Sequence, residues 1–304
     1  MSFSRRDFLQ SATTALGVSL LDRTFSPDDL EKIIKEIRAN ILGMINEERE
    51  VEKVPPVALD ELATEVATKH AWDLVKGKFT GHFGSDGLKP YHRYSFAGGT
   101  EATAENVSAA DNTWSMKEKD LKQDTAYLHL RLYQEKPPYD GHRKTILNPE
   151  HTHVGIGIVV HELRLRIVEL FISRYVELKP VVREAKPGAT VSFAGKIRVA
   201  PYRFNNLEVH YEPMPTPPSP EMLKSPGPYS MPKEARKLRP KLPQPFIYPD
   251  GTFGDVEVNG PNFSVPVKLY KSTPGIYTIV TWIRRSFEEP AIPVTAVCVK
   301  AVKT

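Results

Sequence analysis

Gly141-His142-Arg143-Lys144-Thr145-Ile146-Leu147-Asn148-Pro149, closed by Val154-Gly155-Ile156-Gly157-Ile158, is the stretch on which the reading of this 304-residue chain turns. Upstream lie Gly81-His82-Phe83, placed after a helical pattern, and Ala104-Glu105-Asn106-Val107, which reads as a short strand carrying one carboxylate. Two glycine-flanked histidines with a glutamate between them are the side chains that a shallow divalent-metal site uses. Imidazole and carboxylate both suit zinc, and glycine lets the backbone turn tightly or approach closely.

Periodicity supplies the frame around these pieces. Ser26 can cap a helix that Pro27, Asp28 and Asp29 open, and Leu30, Ile33, Ile34, Ile37, Ile41, Met44 and Ile45 then share one face. Asp60 caps a second helix with Leu62, Val66, His70 and Leu74 on one side, and Gly77 and Gly81 deliver His82 to a loop. Residues 84–100 read as loop. Residues 119–134 return to helical spacing until Pro137-Pro138 stops them. Residues 154–160 and 163–175 read as paired strands, and the alternation of Leu163, Leu165 and Ile167 with Arg164 and Arg166 predicts one buried and one solvated face.

Beyond Pro180 the composition changes. Residues 190–199, 206–211, 277–284 and 295–303 read as strands, as does the alternation of Phe263, Val265, Val267 and Leu269 with polar neighbours. Residues 213–249 hold 12 of the 27 prolines and are expected to be an extended insertion rather than a packed helix or central strand. The expected division is a signal segment at 1–23, an α+β domain at 26–180, and an all-β sandwich of immunoglobulin-like type at 181–304. Few contacts are expected to cross the boundary near Pro180.

The segment from Asn46-Glu47-Glu48-Arg49 to Ile158 resembles a bacterial CAP domain, also called SCP/PR-1-like. Five pieces stand in the family's order: the N-x-x-R helix end, the Val54-Pro55-Pro56-Val57-Ala58-Leu59-Asp60 approach to the second helix, Gly81-His82, Ala104-Glu105-Asn106-Val107, and the block from Gly141 to Gly157. The resemblance implies a three-layer α/β/α sandwich, with His82 and His142 facing each other across a cleft and able to hold zinc or another divalent ion. It implies that Glu105 lines that cleft, holding a histidine in place or a metal-bound water. Glu135 is the candidate for the family's second glutamate, although Tyr133-Gln134-Glu135 stands where many relatives carry tryptophan and another polar residue. A solvated loop histidine is the plainer alternative for His82, and an edge-strand glutamate for Glu105.

Other features narrow the class. Cys298 is the sole cysteine, so no intramolecular disulfide can form, whereas many eukaryotic relatives of the family are disulfide-stapled. A net charge of +4 without nucleic-acid motifs argues against a nucleic-acid partner, and no apolar run is long enough for a membrane span. Ser4-Arg5-Arg6-Asp7-Phe8-Leu9 resembles a twin-arginine export motif, with Arg5 and Arg6 as its signal pair, which points to a periplasmic or extracellular protein. His151 and His153 form an H-x-H pair for which a surface position is expected. His70, His92 and His129 show no partner pattern. Lys233, Arg236, Lys237, Arg239 and Lys241 read as a solvated basic linker or a contact for an anionic envelope surface. Asn106-Val107-Ser108 matches a glycosylation sequon, which a sheet position would make incidental. There is no H-E-x-x-H, G-x-S-x-G or P-loop. The expectation is therefore an exported module that binds a divalent metal and a lipid, glycan or envelope protein, rather than an enzyme. The alternative is a metal-dependent, peptidase-like hydrolase with Glu105 as its catalytic candidate.

Overall fold

The structure is a computed structural model that describes residues 26–111, 117–224 and 227–303. The twin-arginine segment lies outside the described residues. α1 (Pro27–Val51) starts at Ser26, whose hydroxyl accepts from the Asp29 amide at 3.1 Å. Ile33, Ile37, Ile41 and Ile45 recur at four-residue spacing, so they stack on one face, and all four are buried. α2 (Glu61–Gly77) is capped by the Asp60 carboxylate on the Ala63 amide at 2.7 Å.

A four-stranded sheet follows from β1 (Ala58–Leu59), β2 (Ala102–Asp111), β3 (His153–His161) and β4 (Arg164–Ser173), in spatial order β1-β3-β4-β2. Together with α3 (Pro90–Phe96), α4 (Glu118–Tyr133) and α5 (Gly141–Ile146), these elements form three layers. One core joins the isoleucines of α1 to Leu121, Leu128 and Leu132 of α4, Ile146 of α5, and Ile156, Ile158 and Ile167 of the sheet. The other face of the sheet packs Val159, Val168 and Leu170 against α2 and Tyr94 of α3. The two glycines of the Val154–Ile158 run explain how close α2 comes. A Cβ on Gly155 would strike the backbone of Ala63 and Thr64, and one on Gly157 that of Ala67 and Thr68.

Three expectations fail here. Residues 84–100 are not all loop, because Pro90 opens α3 as a first-turn proline. Arg166 does not face solvent: it is 1% exposed, donates to the carbonyls of Phe79 and Ala110, and pairs with Asp111 at 2.9 Å. Helices cover both faces of this sheet, so alternation along β4 marks two different buried environments rather than inside and outside. Leu163 is not in the strand either. It shares a tight turn with Glu162, both at positive φ.

The β-rich remainder is a sandwich. β5 (Val176–Leu178), β6 (Glu184–Ala185), β7 (Thr190–Ile197), β8 (Arg203–Pro213), β9 (Ala235–Leu238), β10 (Glu257–Asn259), β11 (Asn262–Lys268), β12 (Gly275–Arg284), β13 (Ile292–Pro293) and β14 (Val297–Ala301) make two sheets. Their orders are β10-β11-β7-β5 and β6-β14-β12-β8-β9, with β13 on β12. The first strand divides between the sheets as β5 and β6, and β6 runs parallel to β14. This is the immunoglobulin arrangement, with β9 as an added edge strand. Phe193, Phe204, Phe263, Tyr277 and Val297 fill the space between the sheets. β11 alternates as expected, with Phe263, Val265 and Val267 buried. Among its described residues the insertion is extended except for the one-turn helix α6 (Pro220–Lys224), and it supplies the edge strand β9.

The junction is closer than the composition change suggests. β5 already belongs to the sandwich although it precedes Pro180. The Ala102 amide donates to Val294 and the Ala296 amide to Thr100, so the start of β2 pairs with the approach to β14. Ser95 accepts from Arg183 at 2.8 Å and from the Cys298 amide at 2.7 Å. Tyr91, Ile276, Ala296 and Cys298 form an apolar cluster of their own. The expectation of few crossing contacts is overturned. Cys298 is buried in this junction, where burial above all raises its thiol to about 12.

Candidate functional site

Strand alternation on β2 sets the geometry. Glu105 and Asn106 are consecutive, so their side chains leave opposite faces of this edge strand. On the α2/α3 side, Glu105 is nearly fully buried and accepts His82 Nδ1 at 3.0 Å and Arg93 Nη2 at 2.7 Å. Arg93, from α3, also donates to the His82 carbonyl at 2.8 Å, so one guanidinium fixes both partners of the pair. His70, from α2, holds the Gly81 carbonyl at 2.9 Å through Nε2 and anchors the loop that carries His82. Gly81 itself has φ +147°, a conformation that favours glycine.

Burial pushes the Glu105 carboxyl up, but Arg93 and the neighbouring imidazoles outweigh it and hold the group down at about 2. Burial, then Arg93, lowers His70 to about 4, so it is neutral at pH 7. Glu105 is thus an ionised carboxylate with both oxygens engaged.

On the opposite side of β2, Glu135 meets His142. Its Oε1 lies 2.6 Å from His142 Nδ1, and its Oε2 accepts the His142 amide at 3.0 Å. Asn106 donates to the His142 carbonyl at 3.2 Å and to Glu169 at 3.3 Å, which ties α5 to the strand and shows why the sequon is structural. Each predicted histidine is therefore paired through Nδ1 with one of the two predicted glutamates, and the pairs flank the sheet edge. A carboxylate on Nδ1 favours a proton there and leaves Nε2 as the nitrogen with a lone pair to donate. Among the described residues no group of three or more His, Cys, Asp or Glu converges on one point. Two imidazoles alone would make an open site with two protein nitrogens, not a closed four-ligand centre.

The remaining histidines correct the sequence reading. His151 is not on the surface: it is buried, stacks on Phe171 and lies 3.2 Å from Ser173 Oγ, and burial lowers it to about 3. His153 opens β3 half-buried, with Arg174 and Thr152 beside it, so the two share no metal-binding face. His129 sits between Glu169 at 2.5 Å and Glu48 at 3.0 Å in the α4 side of the core. His92 lies on α3 with Nε2 3.3 Å from Glu212 of β8. In the basic cluster, Arg239 pairs with Asp250 and Lys241 with Glu257.

Sequence reasoning missed Arg93, because residues 84–100 read as loop, and it missed a residue from the insertion. Tyr229 Oη accepts the Glu105 amide at 3.1 Å, and its ring meets His82 edge-on at 4.9 Å between centroids. A proline-rich composition gives no signal for such a contact. Beside it, a cavity of about 310 Å³ lies between Phe79, His82 and Phe83 on one wall and Met222 and Leu223 on the other.

Residues 42–171 match the family model described as cysteine-rich secretory protein family, CAP. The solved structures similar to this chain include two from bacterial surface or extracellular proteins. An extracellular protein containing an SCP domain from Bacillus anthracis str. Ames is 21% identical, with 49% of this chain and 44% of that one covered and a TM-score of 0.38. An outer surface protein from Borrelia burgdorferi is 17% identical, with 46% of this chain and 94% of that one covered and a TM-score of 0.37. The chain thus spans less than half the length of the first. No curated protein matches. With its layers, its five motif pieces and the paired histidines in place, this stretch of the chain is a CAP domain of the cysteine-rich secretory protein family, joined to an immunoglobulin-type β-sandwich.

Proposed function

We propose that this protein is an exported binding module whose CAP cleft holds a divalent ion, zinc by its donor chemistry, through His82 and His142. The observation that supports this reading is the pairing of each imidazole, through Nδ1, with its own carboxylate. A bound zinc would supply a Lewis-acidic centre with open positions for a ligand's oxygen or nitrogen. The ligand is a lipid, glycan or protein of the cell envelope. Binding is preferred to hydrolysis because Glu105, held near 2 and bonded at both oxygens, is a poor general base at neutral pH.

Calorimetric titration with zinc tests the site. His82→Ala and His142→Ala should each lose most of the affinity, since a single imidazole is a weak site. Glu105→Gln should lose about 10- to 100-fold, as expected for a partner that orients a ligand. His151→Ala and His153→Ala should bind like wild type. Equal affinity in wild type and the double variant His82→Ala/His142→Ala removes the metal reading.

Export is read from Arg5-Arg6. No helix among the described residues is long and apolar enough to cross a membrane. Replacement of both arginines by lysine should leave the protein in the cytoplasm on fractionation, and unchanged export excludes the twin-arginine route.

A further inference from the structure

The part of the insertion that reaches the cleft binds it as a ligand would. β2 is the outer strand of its sheet, and the Glu105 amide takes a side-chain acceptor from outside the sheet, the phenolic oxygen of Tyr229. The Tyr229 ring lies against His82 and, at 6.3 Å, near Tyr91. The next carbonyl, of Ser230, accepts Lys89 Nζ at 3.0 Å, and Met231 packs on the junction cluster. Pro232 O accepts His210 Nδ1 at 2.9 Å. Residues 227–232 form neither helix nor strand. They are thus held by one edge amide, one ammonium, an aromatic bed and one imidazole, the means by which a groove takes an irregular peptide.

Coverage is incomplete. Although Leu223 packs on the Phe79 side of the core, a cavity of about 310 Å³ remains between Met222 of α6 and the loop that carries His82, and the His82 side chain keeps 16% of its surface.

We propose that the His82 side of the cleft is a groove for a proline-rich peptide bearing a tyrosyl side chain, and that residues 227–232 fill it in cis. This rests on the reading of the cleft as a ligand-binding site and names the ligand class for one half of it. A partner peptide of that chemistry would compete with the chain's own segment, which sets a threshold for binding.

The test needs no metal, so its failure leaves the zinc reading standing. His82 and His142 are acylated with diethyl pyrocarbonate and followed separately by peptide mass mapping. In Tyr229→Ala the His82 rate should rise about tenfold, the effect of losing one hydrogen bond and one aromatic contact, with His142 unchanged as the internal reference. Tyr229→Phe, which keeps the ring and removes the acceptor, should give a smaller rise and serves if the alanine variant fails to fold. A synthetic peptide of residues 227–234 at millimolar concentration, the range that a short tether supplies, should restore slow acylation of His82 in the variant. The same peptide with alanine in place of its tyrosine should not. An unchanged His82 rate in a folded Tyr229→Ala protein, or no protection by the tyrosine-containing peptide, overturns the proposal.

Discussion

Arg49→Leu should lower the stability of the protein by about 4 kcal/mol, read as a shift in the urea midpoint, because four carbonyls, two of them in fully buried bonds, lose their donor together. Arg49 ends the N-x-x-R motif of α1 and is fully buried. Its Nε donates to Pro55 at 2.6 Å, Nη1 to Ile146 at 2.6 Å and Asn148 at 3.1 Å, and Nη2 to His151 at 3.2 Å. These atoms lie in the approach to α2 and in the turn that follows α5, so one guanidinium pins the loops on which the histidine motifs depend. Burial lowers its pKa to about 10, which still leaves it charged at neutral pH. Arg49→Lys should recover only a minor part of the loss, since an ammonium lacks the fork that reaches four acceptors. If both variants unfold at the wild-type urea concentration, the motif does not hold the loops.

The same motif shows what a sequence can and cannot disclose. Asn46 brackets Val57, accepting from its amide at 2.8 Å and donating to its carbonyl at 3.0 Å, an interaction eleven residues away that a motif can encode. The isoleucines of α1 and the alternation of β11 were legible for a related reason: each repeats within one element and faces one neighbour. The glycines of the Val154–Ile158 run were legible as a signal, but their cause, the backbone of α2, belongs to another element. The two histidines and two glutamates could be named, and the structure pairs each histidine with one glutamate.

What stayed hidden depends on distant partners or on coverage from both sides. Alternation predicts an exposed Arg166 because it assumes one wet face, and this sheet has none; the H-x-H stretch gives no sign that His151, just ahead of β3, stacks on Phe171 of β4. Arg93 was hidden by a short helix in a segment rich in glycine and tyrosine. Tyr229 is 124 residues from Glu105 and sits in a stretch whose composition predicts only a lack of regular structure.

His129→Leu should destabilise the protein by about 3 kcal/mol or more, because it strands two carboxylates in the core. His129 is fully buried, with Glu169 on Nδ1 and Glu48 on Nε2, and Glu169 is buried as well. Burial pulls the imidazole pKa down, yet Glu169 and Glu48 outweigh it and raise it to about 10. The cation is therefore part of the fold. Its folded pKa lies above its unfolded value of about 6.5, so its contribution is complete below about 6.5 and declines as the pH rises through about 10. Glu105 acts in the opposite sense: held near 2, it contributes above its ordinary value and loses that contribution as the pH falls toward 2. Thermal midpoints measured from pH 6 to 10 for wild type and His129→Leu should converge toward the alkaline end, since wild type alone loses the imidazolium there. Adding Glu169→Leu to His129→Leu should recover much of the loss, because the stranded carboxylate with no solvent access is gone. Parallel midpoints across this pH range would show that His129 is neutral in the fold, and the network would then be hydrogen-bonded rather than ionic.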